Sequence, residues 1–115
     1  MSIKIIQSCI PKTELEEVAK DQFGDWVKAV VDIKRHIMAI GGDLHADEET
    51  VLLQDGSQQK NLWGINLWLD KSPDQWVEFN SMINVRPSQQ NKSRGVENES
   101  VREEIKKVVG ALVTF

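Results

Sequence analysis

Residues 61–87, NLWGINLWLDKSPDQWVEFNSMINVRP, restrict this chain more than any other stretch, because two alternating runs flank a cluster of turn formers. Successive side chains of a strand point to opposite faces, so each run sorts into two sets. In the first, Trp63, Ile65, Leu67 and Leu69 share a face, opposite Leu62, Gly64, Asn66 and Trp68. In the second, Val77, Phe79, Ser81, Ile83 and Val85 lie opposite Trp76, Glu78, Asn80, Met82, Asn84 and Arg86. Between the runs, Asp70, Lys71, Ser72, Pro73 and Asp74 supply turn chemistry. The spacing predicts an antiparallel hairpin with Leu69 opposite Gln75. Leu67 then meets Val77 and Ile65 meets Phe79 on the apolar side, while Trp68 meets Trp76 and Asn66 meets Glu78 on the other. A slip of one residue would mix the faces.

The polar side of this hairpin admits three readings. It is a half-solvated sheet face, as antiparallel sheets commonly have. It is a pocket floor, with amide, acid and guanidinium groups held by rigid strands. Or it is a subunit interface built on Trp68 and Trp76.

A chain of 115 residues, 40% hydrophobic and 28% charged, fits a single domain over residues 1–115. A net charge of −4 leaves no broad basic surface for a nucleic-acid backbone. No apolar run approaches the roughly 18 residues that span a bilayer, and the first residues lack the pattern of a signal peptide. With Cys9 as the single cysteine, no internal disulfide forms. A cytoplasmic location is expected, with Cys9 a buried or half-buried structural thiol.

Elsewhere the signals alternate between strand and helix. Residues 2–7 are β-branched and suit an edge strand. Thr13 and Glu16 form a capping-box pattern that opens a helix to about Gln22, with Leu15, Val18, Ala19 and Gln22 inward and Gly24 as its stop. Residues 26–33 alternate as a strand, and residues 37–40 suit a second strand after a turn at Lys34, Arg35 and His36. A single helix over 26–40 competes, since Val30, Ile33, Ile37 and Ile40 also fit helical spacing. Asp47 is the expected N-cap of a short helix that ends at Asp55 and Gly56. Ser100 and Glu103 repeat the capping box before a closing helix, whose stripe is Val101, Ile105, Val108, Val109 and Leu112. The sum is an α+β fold: an antiparallel sheet of about four to five strands with helices packed on one face.

Four motifs carry a resemblance. They are Lys28-Ala29-Val30-Val31-Asp32, Gly42-Asp43-Leu44-His45-Ala46-Asp47, Leu62-Trp63-Gly64-Ile65-Asn66 and Ser81-Met82-Ile83-Asn84-Val85-Arg86-Pro87, the last followed by Gln89, Asn91 and Ser93. With them the chain resembles a family of small prokaryotic proteins of unknown function over nearly its whole length. The resemblance implies a compact single domain and supplies no activity, cofactor or catalytic residue. Where that family often carries glycine, this chain has Gln90, a residue less permissive of positive φ.

Chemistry-bearing residues gather in two places. His45 and Asp47 are spaced to act as an acid–base pair with Glu78, or to share a metal if His36 or Glu78 adds a third ligand. The ligand pattern is incomplete, so no metal is assigned. The plainer reading has Asp47 cap a helix and Glu48 complement its dipole. The loop over residues 86–94 carries Arg86, Lys92 and Arg94 among Ser88, Asn91 and Ser93, and these could hold a phosphate or carboxylate. It is not a P-loop, and Gly56-Ser57 is not a nucleophile elbow. A solvated loop is the alternative.

If the loop folds beside the polar face, Glu78, Asn84, Arg86, Asn91 and Arg94 form one pocket with Asn66 in its floor and His45 at its rim. The expectation is a protein that binds a small anionic molecule there, with hydrolytic or transfer chemistry as an extension. The alternative is a non-catalytic interaction module, a homodimer or docking surface through Trp68 and Trp76. A metal-dependent enzyme is the third reading. No cofactor is indicated.

Overall fold

The computed structural model describes residues 2–114 and carries the alternation into a five-stranded antiparallel sheet. The elements are β1 (Lys4–Ile6), β2 (Ile10–Pro11), α1 (Lys12–Asp21), β3 (Trp26–Asp32), β4 (Ile37–Ile40), α2 (His45–Gln54), β5 (Leu62–Trp68), β6 (Val77–Glu78), α3 (Glu99–Leu112) and β7 (Val113–Thr114). The sheet order is β1-β4-β3-β5-β6, and β2 and β7 form a separate parallel pair.

Residues 26–40 are two strands, not one helix. Ala29 lies opposite Ile40 and Asp32 opposite Ile37. The turn between them is fixed by Asp32, whose carboxylate accepts the N–H groups of Lys34 and Arg35, both at 2.9 Å. His36 completes it in the left-handed region, φ 58°. The β-branched residues prevail because both of their faces are buried. Val27, Ala29 and Val31 pack with Met38, Ile40, Trp63, Ile65 and Leu67 against Leu15 and Ala19 of α1 and Ile105, Val108 and Leu112 of α3. Val30 packs on the reverse with Ala39 and Leu62 under Leu52 of α2.

That second cluster corrects one expectation. Helices α1 and α3 cover one face, while α2 takes the other, because Val30, Ala39 and Leu62 leave an apolar strip there as well.

The helix starts differ in detail from the capping-box pattern. Thr13 lies inside α1, which begins directly after Pro11 without a side-chain cap. Ser100 lies inside α3, whose N-cap is Asn98; its side chain accepts the Val101 N–H at 3.2 Å. Asn is at least as good an N-cap as Ser, so the earlier residue wins. Asp47 is an exposed first-turn acid of α2, and Leu44 is the N-cap. Cys9 is exposed rather than buried. It lies between β1 and β2, with Sγ 3.8 Å from the carbonyl of Ala111.

The hairpin keeps its register but not its length. Leu67 opposes Val77 and Asn66 opposes Glu78, after which the second strand stops. Phe79 is outside the ladder, and Met82–Asn84 is a 3-10 turn. Trp76 has helical dihedrals, φ −66° and ψ −42°, so strand alternation does not govern it. Its ring turns into the core, 2% exposed, with Nε1 donating to the carbonyl of Lys71 at 2.7 Å. The expected Trp68–Trp76 pair on one face is therefore absent. Trp68 stacks instead on Trp26, ring centroids 5.1 Å apart.

Candidate functional site

Helix α2 covers only part of its face of the sheet. Along β3, Trp26 and Lys28 share that face with Val30; along β5, Asn66 and Trp68 share it with Leu62. Strand pairing sets Trp26 opposite Trp68, Lys28 opposite Asn66, and Asn66 opposite Glu78. A row of cation, amide and carboxylate thus crosses three adjacent strands. Neighbouring strands lie about 4.8 Å apart, so the two ends of the row are within reach of one small molecule.

Around this row lies a cavity of about 470 Å³, a size that suits a small ligand. The start of α2 supplies His45, the row supplies Lys28, Asn66 and Glu78, and Arg94 arrives on the loop before α3. Trp26 and Trp68 form one wall. Phe23 stacks on Trp26 at 4.4 Å, which stiffens that wall.

Each polar group has a defined state. His45 Nε2 is 2.7 Å from the carbonyl oxygen of Ile65. A carbonyl only accepts, so Nε2 carries the proton and Nδ1 keeps its lone pair. Burial holds the imidazole below its ordinary pKa; the Ile65 carbonyl and the Asn66 amide oppose this, and Lys28 and Arg94 add to it. Glu78 Oε1 accepts from Asn66 Nδ2 at 2.9 Å and Trp68 Nε1 at 3.0 Å. Those two donors, Asn66 first, hold its carboxyl below the usual range, so it is an anion at neutral pH. The cavity therefore has a neutral base, two cations and one fixed carboxylate.

The other expected ligand residues are employed elsewhere. Asn84 is fully buried; its amide bonds the main chain of Gly64 and the carbonyl of Arg94. Arg86 donates to the carbonyls of Leu62 and Gln59 and stacks its guanidinium 4.1 Å from the Trp63 ring centroid. Asn91 donates to Asn84 and Gly95 carbonyls at 2.7 and 2.8 Å and accepts the Glu97 N–H. Ser93 is exposed, and its hydroxyl accepts the Gly95 N–H at 3.3 Å. These four staple the loop rather than face the cavity. Asp47 also lies outside the cavity wall.

Among the wall residues that residue type did not mark, a lysine and a tryptophan of β3 matter most. Lys28 and Trp26 alternate onto the same face as Val30, and pairing β3 with β5 would have set them beside Asn66 and Trp68. Glu48, expected as a surface complement to the helix dipole, is fully buried and accepts the Gly42 N–H at 2.9 Å. Burial pushes its carboxyl up to about 9, so it is neutral at physiological pH.

Residues 4–112 match the family described as Protein of unknown function (DUF5674). The chain belongs to this family. The resemblance carried by the four motifs is thereby borne out at the level of family. No curated protein and no solved structure matches the chain. Among the described residues no cluster of three His, Cys, Asp or Glu side chains is arranged to hold a metal ion. No helix among them is long and apolar enough to cross a membrane.

Proposed function

We propose that this DUF5674 protein binds a small organic anion in the cavity between β3, β5, β6 and the start of α2. The observation that carries this reading is the convergence of Lys28, Arg94 and the neutral His45 on one 470 Å³ space. The first backbone N–H groups of α2, at Leu44 to Ala46 on the cavity wall, add the favourable end of a helix dipole. His45 Nδ1, free of the Ile65 carbonyl, is the group that can take a proton from a bound substrate or from water, which is the basis for hydrolytic or transfer chemistry. The exposed thiol of Cys9 fits the reducing cytoplasm as its setting.

A thermal-shift screen of the full chain tests the reading, using inorganic phosphate, small carboxylates and phosphate monoesters. A ligand that binds only the folded form raises the melting temperature. The expected result is a rise that Lys28→Ala and Arg94→Ala each reduce. If no compound shifts the transition, or if the shift survives both substitutions together, the anion site is wrong.

A second reading, a docking module, draws on Leu44 and Met82 at the cavity rim, 56% and 66% exposed. Such apolar side chains are at home in a contact between copies of the chain. Solution mass measured for the unmodified chain and for Met82→Asp separates the two. A monomer in both cases removes the homodimer.

A further inference from the structure

A cavity that held only anions would not place a carboxylate in its floor, and Glu78 sits there on the same strand-to-strand row as Lys28. We infer that the ligand is a zwitterion, with its anionic group at Lys28 and Arg94 and a primary ammonium at Glu78. This rests on the anion-site reading and narrows it to amino acids and amine-bearing phosphates.

Glu78 is built for the role. Two donors fix Oε1, Asn66 Nδ2 at 2.9 Å and Trp68 Nε1 at 3.0 Å, which orients the carboxylate and leaves Oε2 for a third partner. Among the described residues neither Glu78, Lys28 nor Arg94 belongs to a direct ion pair. None of the three therefore has an oppositely charged partner at contact distance; Lys28 and Glu78 flank Asn66 on the two neighbouring strands, and Lys28 and Arg94 both act on His45. A plain dianion would satisfy the cations and meet like charge at Glu78; a plain amine would do the reverse. One molecule bearing both charges satisfies both ends. The exposed Leu44 and Met82 and the half-buried Ile83 remain for its apolar part.

The test is calorimetric titration of the full chain with each standard L-amino acid and with O-phosphoethanolamine. The tightest binder is then compared with its deaminated acid (or, for the phosphate, ethyl phosphate) and with its decarboxylated or dephosphorylated amine. The expected result is that one zwitterion binds about tenfold or more tighter than either fragment. Glu78→Gln, which keeps an acceptor for Asn66 and Trp68, should then weaken the zwitterion about tenfold and leave the acid as tight as before or tighter, since its like-charge neighbour is gone.

Where that variant does not fold, the unmodified protein still decides. The affinity ratio of zwitterion to acid should fall as pH rises through the ammonium pKa of the ligand. An acid that binds as tightly as its amino form, or a ratio insensitive to pH, overturns the zwitterion and leaves the anion site standing. If no zwitterion binds while phosphate or a carboxylate does, the inference again fails alone. If nothing binds, both fail.

Discussion

The side-chain amide of Asn84 makes both hydrogen bonds of a β-ladder with the main chain of Gly64, accepting its N–H at 2.8 Å and donating to its carbonyl at 2.9 Å. Strand β6 ends at Glu78, so the edge of β5 beyond Asn66 has no strand beside it, and a side chain takes the strand's place. Arg86 extends the substitution to the carbonyl of Leu62 at 2.6 Å. Gly64 itself must lack a Cβ, which would sit 2.6 Å from both Cβ and Oγ of Ser81.

Asn84→Ala should cost about 3 kcal/mol, since it strands the buried N–H and carbonyl of Gly64, takes one of two donors from the Arg94 carbonyl and leaves a small void. Urea denaturation measures it. Asn84→Asp is the sharper variant: it keeps the acceptor for Gly64 but sets a carboxylate against two carbonyl oxygens. Its deficit should shrink toward pH 4, where the acid regains a proton to donate.

Gln90 holds φ 61° at the end of the turn Pro87–Gln89. An L-residue in this region costs about 1 kcal/mol or more, a penalty glycine avoids at the expense of unfolded-state entropy. Gln90→Gly should therefore raise stability by about 0.5 kcal/mol, and Gln90→Val should lower it by more. A drop in melting temperature for the glycine variant would contradict the strain.

Glu48 gives stability a slope with pH. Its folded pKa, about 9, lies above the unfolded value of 4.5. Its contribution is therefore intact below pH 4.5 and is lost as pH rises toward 9. At pH 7 the deficit is about 3 kcal/mol by linkage. Glu48→Gln retains an acceptor for the Gly42 N–H and cannot ionise. Denaturation curves should show the variant ahead at pH 8 and level with the parent at pH 4.

His45 slopes the other way. Its folded pKa lies below the ordinary 6.5, so its contribution is complete above that pH and is lost as pH falls through the folded value. Nitrogen-detected NMR should find the proton on Nε2 and a titration midpoint under 6.5. A saturating anion should move that midpoint upward, because a charged imidazole would then have a partner.

The sequence made the sheet legible where periodicity was uniform. The β5–β6 register and the α3 stripe follow from apolar spacing, whereas over residues 26–40 that spacing also fits a helix and it is the β-branched content that marks two strands. It misled where one residue changed backbone region. Trp76 sits in phase with Glu78 by count, yet a helical φ/ψ pair sends it to the opposite side. For Asn84, Arg86 and Asn91, residue type announced polar work but not its recipient, since a buried amide serves a neighbouring main chain as readily as a ligand. His45, Asn66, Glu78 and Arg94 did converge. Lys28 was missed because its meaning depends on a strand thirty-odd residues away in the chain.

The short parallel pair of β2 with β7 joins Ile10 to Val113, across nearly the whole chain. Closing so large a loop for two residues per strand returns little per contact, so this clasp belongs to the last steps of folding. It should also be the first part of the ordered backbone to open, and its amides should trade deuterium well ahead of those in β3.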